Sequence, residues 1–261
     1  MKKTVIAAAL ASTVFSGAAM AWTAGGTGGN IEIGGNIQVT PYSTPWEVLV
    51  GAPATNLDAN ITKGTKAVMI PVTKAIQVLG IRTVSRNPID GVAGISPQIN
   101  FHDAVQLDGF VKGITTVNLP VVDADDPTTQ IGIMEAPFAA AAQAANNAGS
   151  YYDMYAEQAP HGFFGGLGKN ASKIADNGGA LVESISTFIN DNFNDMGSTN
   201  YSKDWTAFAN AGTRYSGFYG SGIQAGNNIK LTLSRPAAND VIKWKASMPI
   251  TVSYQESLLL P

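Results

Sequence analysis

Two segments near opposite ends of the chain alternate apolar and polar residues with a period of two. One covers residues 30–39 and the other covers residues 248–254. This period is typical of a strand that buries one face. We therefore expect a strand in each segment, and the first strand can pair either within its own fold or with a neighbouring molecule. The positions that share a face are Ile31, Ile33, Gly35, Ile37 and Val39 in the first segment and Met248, Ile250, Val252 and Tyr254 in the second.

Short alternating stretches also occupy much of the chain between these two segments. Residues 46–50 and residues 229–233 alternate in the same way, and glycine, proline and aspartate separate the stretches. Many short strands between turn residues indicate a β-sandwich. Pro71 predicts an edge strand or a bulge, because proline cannot donate a hydrogen bond within a sheet.

Two central stretches instead predict helices. Residues 136–148 are rich in alanine, which has the highest helix propensity. Residues 180–195 carry apolar residues at the spacing of a helix with one buried face. We therefore expect a mainly β fold with a partly helical central insertion near residues 136–215. The apolar stripe of the second predicted helix consists of Leu181, Val182, Ile185, Phe188, Ile189 and Phe193.

The N-terminus has the organisation of a secretory signal peptide, predicted over residues 1–21. Two lysines precede an apolar run, and a small-x-small cleavage motif ends at Ala21. The apolar run is too short to span a membrane as a helix. Cleavage after Ala21 makes Trp22 the first residue of an exported chain, and a glycine-rich leader follows it up to residue 29.

The composition excludes several kinds of function. The chain has no cysteine, so disulfides, thiol catalysis and cysteine–metal sites are excluded. Only 13% of the residues are charged, the net charge is −3, and no basic run is present. Nucleic acid is therefore not an expected partner. We expect neither a cofactor nor a bound metal.

Residues with catalytic potential are few. The two histidines are His102, which precedes Asp103, and His161, which lies in a Pro-His-Gly sequence. We interpret both as turn residues, because a catalytic or metal site needs further converging groups. The glycine-containing stretches at residues 162–170 and 220–225 fit neither a phosphate loop nor a dinucleotide fold. We expect no enzyme; the alternative is a secreted carbohydrate-active enzyme with a jelly-roll domain, which would need two facing carboxylates.

Aromatic residues concentrate in the second half of the central region. Tyrosine and tryptophan beside aspartate on loops can stack on a sugar ring while polar groups bind its hydroxyls. The alternative is that most of these aromatic residues pack the insertion. The candidate carbohydrate-binding residues are Tyr151, Tyr152, Asp153, Tyr155, Tyr201, Asp204 and Trp205.

Two blocks of sequence, at residues 22–51 and residues 219–255, carry a family likeness. Their distinguishing positions are Trp22, Ile33-Gly34-Gly35, Ile37, Trp46-Glu47, Val50-Gly51, Tyr219-Gly220-Ser221-Gly222, Ala225-Gly226, Trp244 and Ile250-Thr251-Val252-Ser253-Tyr254. The first block resembles the mature start of the K eighty-eight type fimbrial subunits of enterotoxigenic Escherichia coli. The second resembles the end of the related F forty-one type subunit. The absence of cysteine also fits this family.

This resemblance implies a fimbrial, or pilus, structural subunit of the chaperone–usher class. Such a subunit has an incomplete immunoglobulin-like β-sandwich that lacks its last strand. A periplasmic chaperone lends a strand, and an outer-membrane usher replaces it with the N-terminal extension of the next subunit, by donor-strand exchange. The implied location is a cell-surface fimbrium reached through the periplasm. The implied partners are neighbouring subunits, the chaperone and the usher.

The resemblance also assigns the segments of the chain. Residues 22–40 become the donor-strand extension, which carries the apolar face of the first strand, and residues 41–255 become the pilin domain. The apolar face of residues 248–254 becomes a wall of the acceptor groove. In the related family the major subunit also binds host glycoconjugates, so an adhesive role is a further expectation, and the choice between major, minor and adhesive subunit stays open. The family's chains end near the aromatic residue of the last strand, which leaves residues 256–261 as a tail of unclear role.

Overall fold

The computed structural model describes residues 44–238 and 241–254. The predicted signal peptide, the predicted donor residues Ile31 to Val39 and the tail at residues 256–261 lie outside this part of the chain. Within it, the fold is mainly β and sandwich-like, consistent with the predicted immunoglobulin-like class. The described strands are β1 (Trp46–Val50), β2 (Ala67–Pro71), β3 (Ile76–Thr83), β4 (Ile89–Asp90), β5 (Pro97–Asn100), β6 (Ile114–Asp123), β7 (Gln130–Asn146), β8 (Ser150–Met154), β9 (Asn200–Asp204), β10 (Arg214–Ile223), β11 (Asn228–Leu233), β12 (Trp244–Ala246) and β13 (Thr251–Tyr254).

The long strand β7 organises the main sheet. Strands β10 and β11 pair one after the other along one edge of β7, and β6 and β8 pair along its other edge. The β11 side continues to β2, and the β10 side continues to β3 and β1. The β6 side continues to β12, and the β8 side continues to β9, which runs parallel to β8. The first half of β7 therefore lies between β11 and β6, and the alanine-rich second half lies between β10 and β8.

A second, two-stranded sheet pairs β13 with β5, and the main core lies where this sheet and the inner face of the main sheet meet. Trp46 lies in that core and donates from Nε1 to the Ile95 carbonyl at 2.8 Å. Its ring meets Phe163 and Phe208 edge to face. Edge-to-face contact is the favoured geometry of aromatic pairs, so these rings fix the start of β1 against the core.

The helix predicted over residues 136–148 is wrong, because these residues lie mostly in β7. The alanine-rich part of β7 is buried on both faces, and its neighbours in β10 are partly glycine: Ala139 pairs with Gly222 and Ala141 with Gly220. Alternate alanines contact different cores on the two sides of the sheet. A strand covered on both sides has room only for small side chains here. Tertiary packing therefore overrides the helix propensity of alanine.

The second predicted helix is much shorter than expected. Helix α1 covers only Gly178–Glu183, begins at the capping side chain of Asn177, and is followed by turns. Val182, Ile185 and Ile189 are buried as the apolar stripe predicts, whereas Phe188 is 46% exposed and does not belong to the core. The helical part of the central region is therefore minor. Among the described residues, no helix is long and apolar enough to cross a membrane.

Several local predictions are confirmed. Residues 46–50 form β1, residues 229–233 lie in β11, and Pro71 ends β2 at the edge of the sheet order. His102 and Asp103 form a turn in which both residues have positive φ angles, of 49° and 64°. The turn interpretation therefore holds for this histidine–aspartate pair.

Candidate functional site

An apolar groove of about 990 Å³ lies against the β2–β11–β7–β6 part of the sheet. We call two of the segments that line it the N-rim, residues 50–61, and the C-rim, residues 241–250. Most of the other lining residues form the floor, and they come from β2, β6, β7 and β11, which all present apolar side chains inward. The floor includes Val68, Ile70, Val117, Leu119, Met134, Phe138, Ile229, Leu231 and Leu233.

The C-rim has the alternating exposure of a strand that is covered on one side only. Its even-numbered residues are half-buried and its odd-numbered residues are exposed. Met248 and Ile250 line this groove, and Val252 and Tyr254 pack against the core beyond it, where β13 pairs with β5. Three earlier residues line the same wall, and the sequence pattern did not assign them to it. These earlier residues are Ile242, Trp244 and Ala246.

Beyond Gly51, the N-rim pairs with no strand in the described part of the chain. After Gly51, whose N–H donates to the Val78 carbonyl at 3.0 Å, residues 52–61 form no strand. None of them exchanges a backbone hydrogen bond with another described residue. Leu57 and Ile61 are nevertheless half-buried against the core. A segment with apolar anchors, whose backbone groups bond to no other described residue, is suited to pairing with an added strand.

The seven candidate carbohydrate-binding residues lie together on the paired strands β8 and β9 and the residues that follow them. Tyr151 pairs with Tyr201 in register, and Tyr155 donates its backbone N–H to the Asp204 carbonyl at 3.1 Å. We call this region the aromatic ribbon. Its members differ in exposure: Tyr201 is 50% exposed and Trp205 is 44% exposed, whereas Tyr152 and Asp153 are buried. The two buried residues can support a binding surface but do not form it.

Asp153 joins the aromatic ribbon to the rest of the fold. Its Oδ1 accepts from the Gln143 side chain and from the Gly178 N–H, both at 2.8 Å, and its Oδ2 accepts from the Tyr201 hydroxyl at 2.7 Å. Burial and the neighbouring Asp153 carboxylate raise the pKa of Tyr201. These bonds fix β7, β9 and the start of α1 to one buried carboxylate.

The ring of Trp205 stacks on the ring of the buried His161. The two rings stack with centroids 3.9 Å apart and planes 6° apart. His161 is buried, its Nδ1 accepts from the Glu157 N–H at 3.3 Å, and burial lowers the pKa of its imidazole. The Pro-His-Gly sequence predicted only a turn at His161, and no sequence signal indicated its stacking partner. Among the described residues, no group of three histidine, aspartate or glutamate side chains could hold a metal ion.

The groove lies on a mainly β, sandwich-like fold. The chain belongs to the family described as "Fimbrial, major and minor subunit", whose model matches residues 1–255. Three relatives from Escherichia coli extend over 97% of this chain and 100% of their own length. K88 fimbrial protein AD is 29% identical to it, K88 fimbrial protein AB is 28% identical, and K88 fimbrial protein AC is 26% identical.

Membership of this family confirms the resemblance inferred from the two ends of the sequence. The protein is a fimbrial subunit, which implies association with other subunits in a polymer at the cell surface. The family is one of fimbrial subunits and not a known family of enzymes. The alternative of a carbohydrate-active enzyme therefore receives no support from the comparisons.

Proposed function

We propose that this protein is a structural subunit of a fimbrium that polymerises by donor-strand exchange through a chaperone–usher system. The groove carries this proposal. Its floor is apolar, and its C-rim alternates half-buried and exposed residues. Residues 52–61 of its N-rim make no backbone hydrogen bond to another described residue. A strand from a neighbouring subunit would cover the apolar floor and supply backbone partners for the rims.

The segment at residues 31–39 has the matching chemistry. Ile31, Ile33, Ile37 and Val39 share one face, and Gly35 interrupts that face without adding a side chain. Each fully buried aliphatic side chain contributes about 1.5–3 kcal/mol. Backbone hydrogen bonds to the rims add to this, as in strand addition generally. Gly35 provides a weakly held point at which a chaperone strand is displaced stepwise.

The assembly route follows from the signal peptide and the open groove. Export brings the chain to the periplasm, where an exposed apolar groove promotes aggregation. A periplasmic chaperone covers the groove, and an outer-membrane usher exchanges that cover for the donor segment of the next subunit. The product is a fimbrium of repeated, non-covalent strand additions.

The test separates donor from acceptor. Deleting residues 22–40 should abolish polymerisation and leave a domain that binds a synthetic peptide of residues 30–40. The control peptide replaces Ile33 and Ile37 by aspartate, and it should not bind, because two charges would enter the apolar groove. Normal polymerisation of the shortened chain would overturn the proposal, and so would equal binding of the two peptides.

A second candidate function is binding of host glycoconjugates at the aromatic ribbon. The observation that favours it is the exposure of two rings, Tyr201 and Trp205, each held in place from below by a buried polar residue, Asp153 or His161. Rings held in this way can stack on a sugar with little loss of side-chain entropy. Tyr151, Tyr155 and Asp204 lie on the same ribbon and complete the candidate surface.

A glycan-binding comparison tests this second function. Trp205→Ala and Tyr201→Ala should each reduce binding of the protein to a glycan panel. Phe188→Ala is the matched control, because Phe188 is 46% exposed and lies outside the ribbon. Equal binding by the ribbon variants and the control would remove the ribbon as the site. Hydrolysis of any glycan in the panel would instead favour an enzyme.

A further inference from the structure

The start of α1 holds a chemically reactive dipeptide in a protected position. Asn177 is exposed, and the following Gly178 is buried. In an Asn-Gly pair the glycine nitrogen can attack the asparagine side-chain carbonyl carbon, because glycine has no Cβ to hinder the approach. The sequence contains this pair only at residues 177–178.

Two hydrogen bonds oppose this attack. The Gly178 N–H donates to Asp153 Oδ1 at 2.8 Å, and Asn177 Oδ1 accepts from the Ala180 N–H at 3.0 Å as the cap of α1. Attack requires the glycine nitrogen to lose its proton and become anionic. A buried carboxylate beside that nitrogen disfavours a second negative charge. The capping bond holds the asparagine carboxamide toward the helix.

We propose that Asn177 is a latent deamidation site that Asp153 keeps unreactive. In the reaction, the Gly178 nitrogen forms a bond to the Asn177 side-chain carbonyl carbon, and the bond from that carbon to Nδ2 breaks. Ammonia leaves with the proton that the Gly178 nitrogen loses. Water then opens the resulting succinimide ring at one of its two carbonyls and leaves aspartate or isoaspartate at position 177.

The isoaspartate product does not fit the fold. It lengthens the backbone by one methylene directly before two glycines that have no spare room. A Cβ on Gly178 would lie 2.6 Å from Asp153 Oδ1, and a Cβ on Gly179 would lie 2.8 Å from Gln143 Oε1. The added length must therefore displace α1 from β7 and β8. Deamidation would therefore release α1 from the sheet beside the aromatic ribbon. This change would be irreversible and would accumulate with the age of the protein.

The experiment compares deamidation rates by mass spectrometry of the peptide that contains position 177. Folded full-length protein and the same protein in guanidinium chloride are incubated at one pH and temperature. We expect the folded protein to deamidate at least about tenfold more slowly, the factor that one hydrogen bond to a charged acceptor provides. Equal rates in the two states would overturn the proposal without any variant.

Variants distinguish the effect of the Asp153 carboxylate on the deamidation rate from the effect of a general loosening of the fold. Asp153→Asn keeps the shape and removes the charge, and Asp153→Ala removes the acceptor, so both should deamidate faster than folded wild type, by about tenfold or more. Tyr201→Phe is the control, since it loses one bond to Asp153 but keeps the bond to Gly178, and its rate should stay close to wild type. Equal acceleration in Tyr201→Phe and Asp153→Asn would show that loosening alone controls the reaction. If Asp153→Ala does not fold, the comparison of folded and denatured wild type and the rate of Asp153→Asn still test the proposal.

Discussion

Val182 in α1 packs so closely on Gly220 in β10 that a Cβ on Gly220 would lie 2.6 Å from Val182 Cγ1. Val182 is fully buried, and Gly220 lies opposite Ala141 in the middle of the sheet. Gly220→Ala must therefore push α1 away from β10. We expect the free energy of unfolding to fall by about 1–3 kcal/mol, the usual cost of overpacking a core. Urea denaturation measures this change.

A double-mutant cycle identifies the cause. Val182→Ala removes the methyl groups that the new Cβ would meet, so the double variant should lose less stability than the sum of the two single changes. The coupling should amount to about 0.5–3 kcal/mol, as for residues in direct contact. Purely additive losses would show that Gly220→Ala acts through some other contact.

The C-rim of the groove makes a second prediction. Met248 faces into the groove, whereas the neighbouring Ser247 is exposed and is not among the residues that line it. Met248→Asp should weaken binding of the peptide of residues 30–40 by about tenfold or more, because it places a charge against the apolar donor face. Ser247→Asp introduces the same group on the outer side and should leave the affinity nearly unchanged. Isothermal titration with the shortened domain measures both, and equal affinities for the two variants would contradict the assignment of the inward face.

Sequence periodicity predicted β11 and β13 because each of these strands alternates between more buried and more exposed residues. It also predicted β1, although only Trp46 of that strand is buried. The missing N–H of proline predicted the edge position of Pro71. The alanine-rich half of β7 has no period of two, since both of its faces are buried. Only the packing of α1 on one side and the main core on the other requires small residues there. A single sequence does not contain that information in a local pattern.

The candidate sites were likewise predictable only where a local sequence pattern marks them. The C-rim follows from alternation, and the aromatic ribbon follows from composition, but the N-rim has no periodic signal because residues 52–61 form no strand. The burial of Asp153 and the stacking of His161 on Trp205 depend on residues distant in sequence. Long-range contacts of this kind decide which of the predicted residues can meet a ligand.

The stack of His161 and Trp205 predicts a pH dependence of stability. Burial lowers the pKa of His161, and Glu157 and Asp204 oppose this effect only in part. The unfolded chain therefore takes up the proton at a higher pH than the folded chain. Stability should be highest above the ordinary histidine pKa of about 6.5 and should fall as the pH decreases through the lowered folded value. Urea denaturation at about pH 7 and about pH 5.5 measures the slope.

His161→Asn is the matched variant for this dependence. In wild type, His161 Nδ1 accepts from the Glu157 N–H at 3.3 Å. The asparagine side-chain oxygen can replace Nδ1 as this acceptor, but asparagine does not titrate. The variant should lose less stability than wild type between the two pH values. An unchanged slope would show that other groups cause the dependence.

Tyr201 makes the last prediction, because its hydroxyl donates to Asp153 Oδ2 at 2.7 Å. Tyr201→Phe removes this donor from a buried carboxylate, so we expect a loss of about 1–3 kcal/mol in the free energy of unfolding. Tyr155→Phe is the control, since Tyr155 lies on the same ribbon outside the Asp153 bonds, and it should change stability much less. Burial and Asp153 raise the pKa of Tyr201, so its contribution is present below the ordinary tyrosine pKa of about 10 and is lost as the pH rises toward the raised value. Wild type should therefore lose more stability above about pH 10 than Tyr201→Phe does, and equal losses in alkaline urea denaturation would mean that the bond to Asp153 does not link the ribbon to the fold.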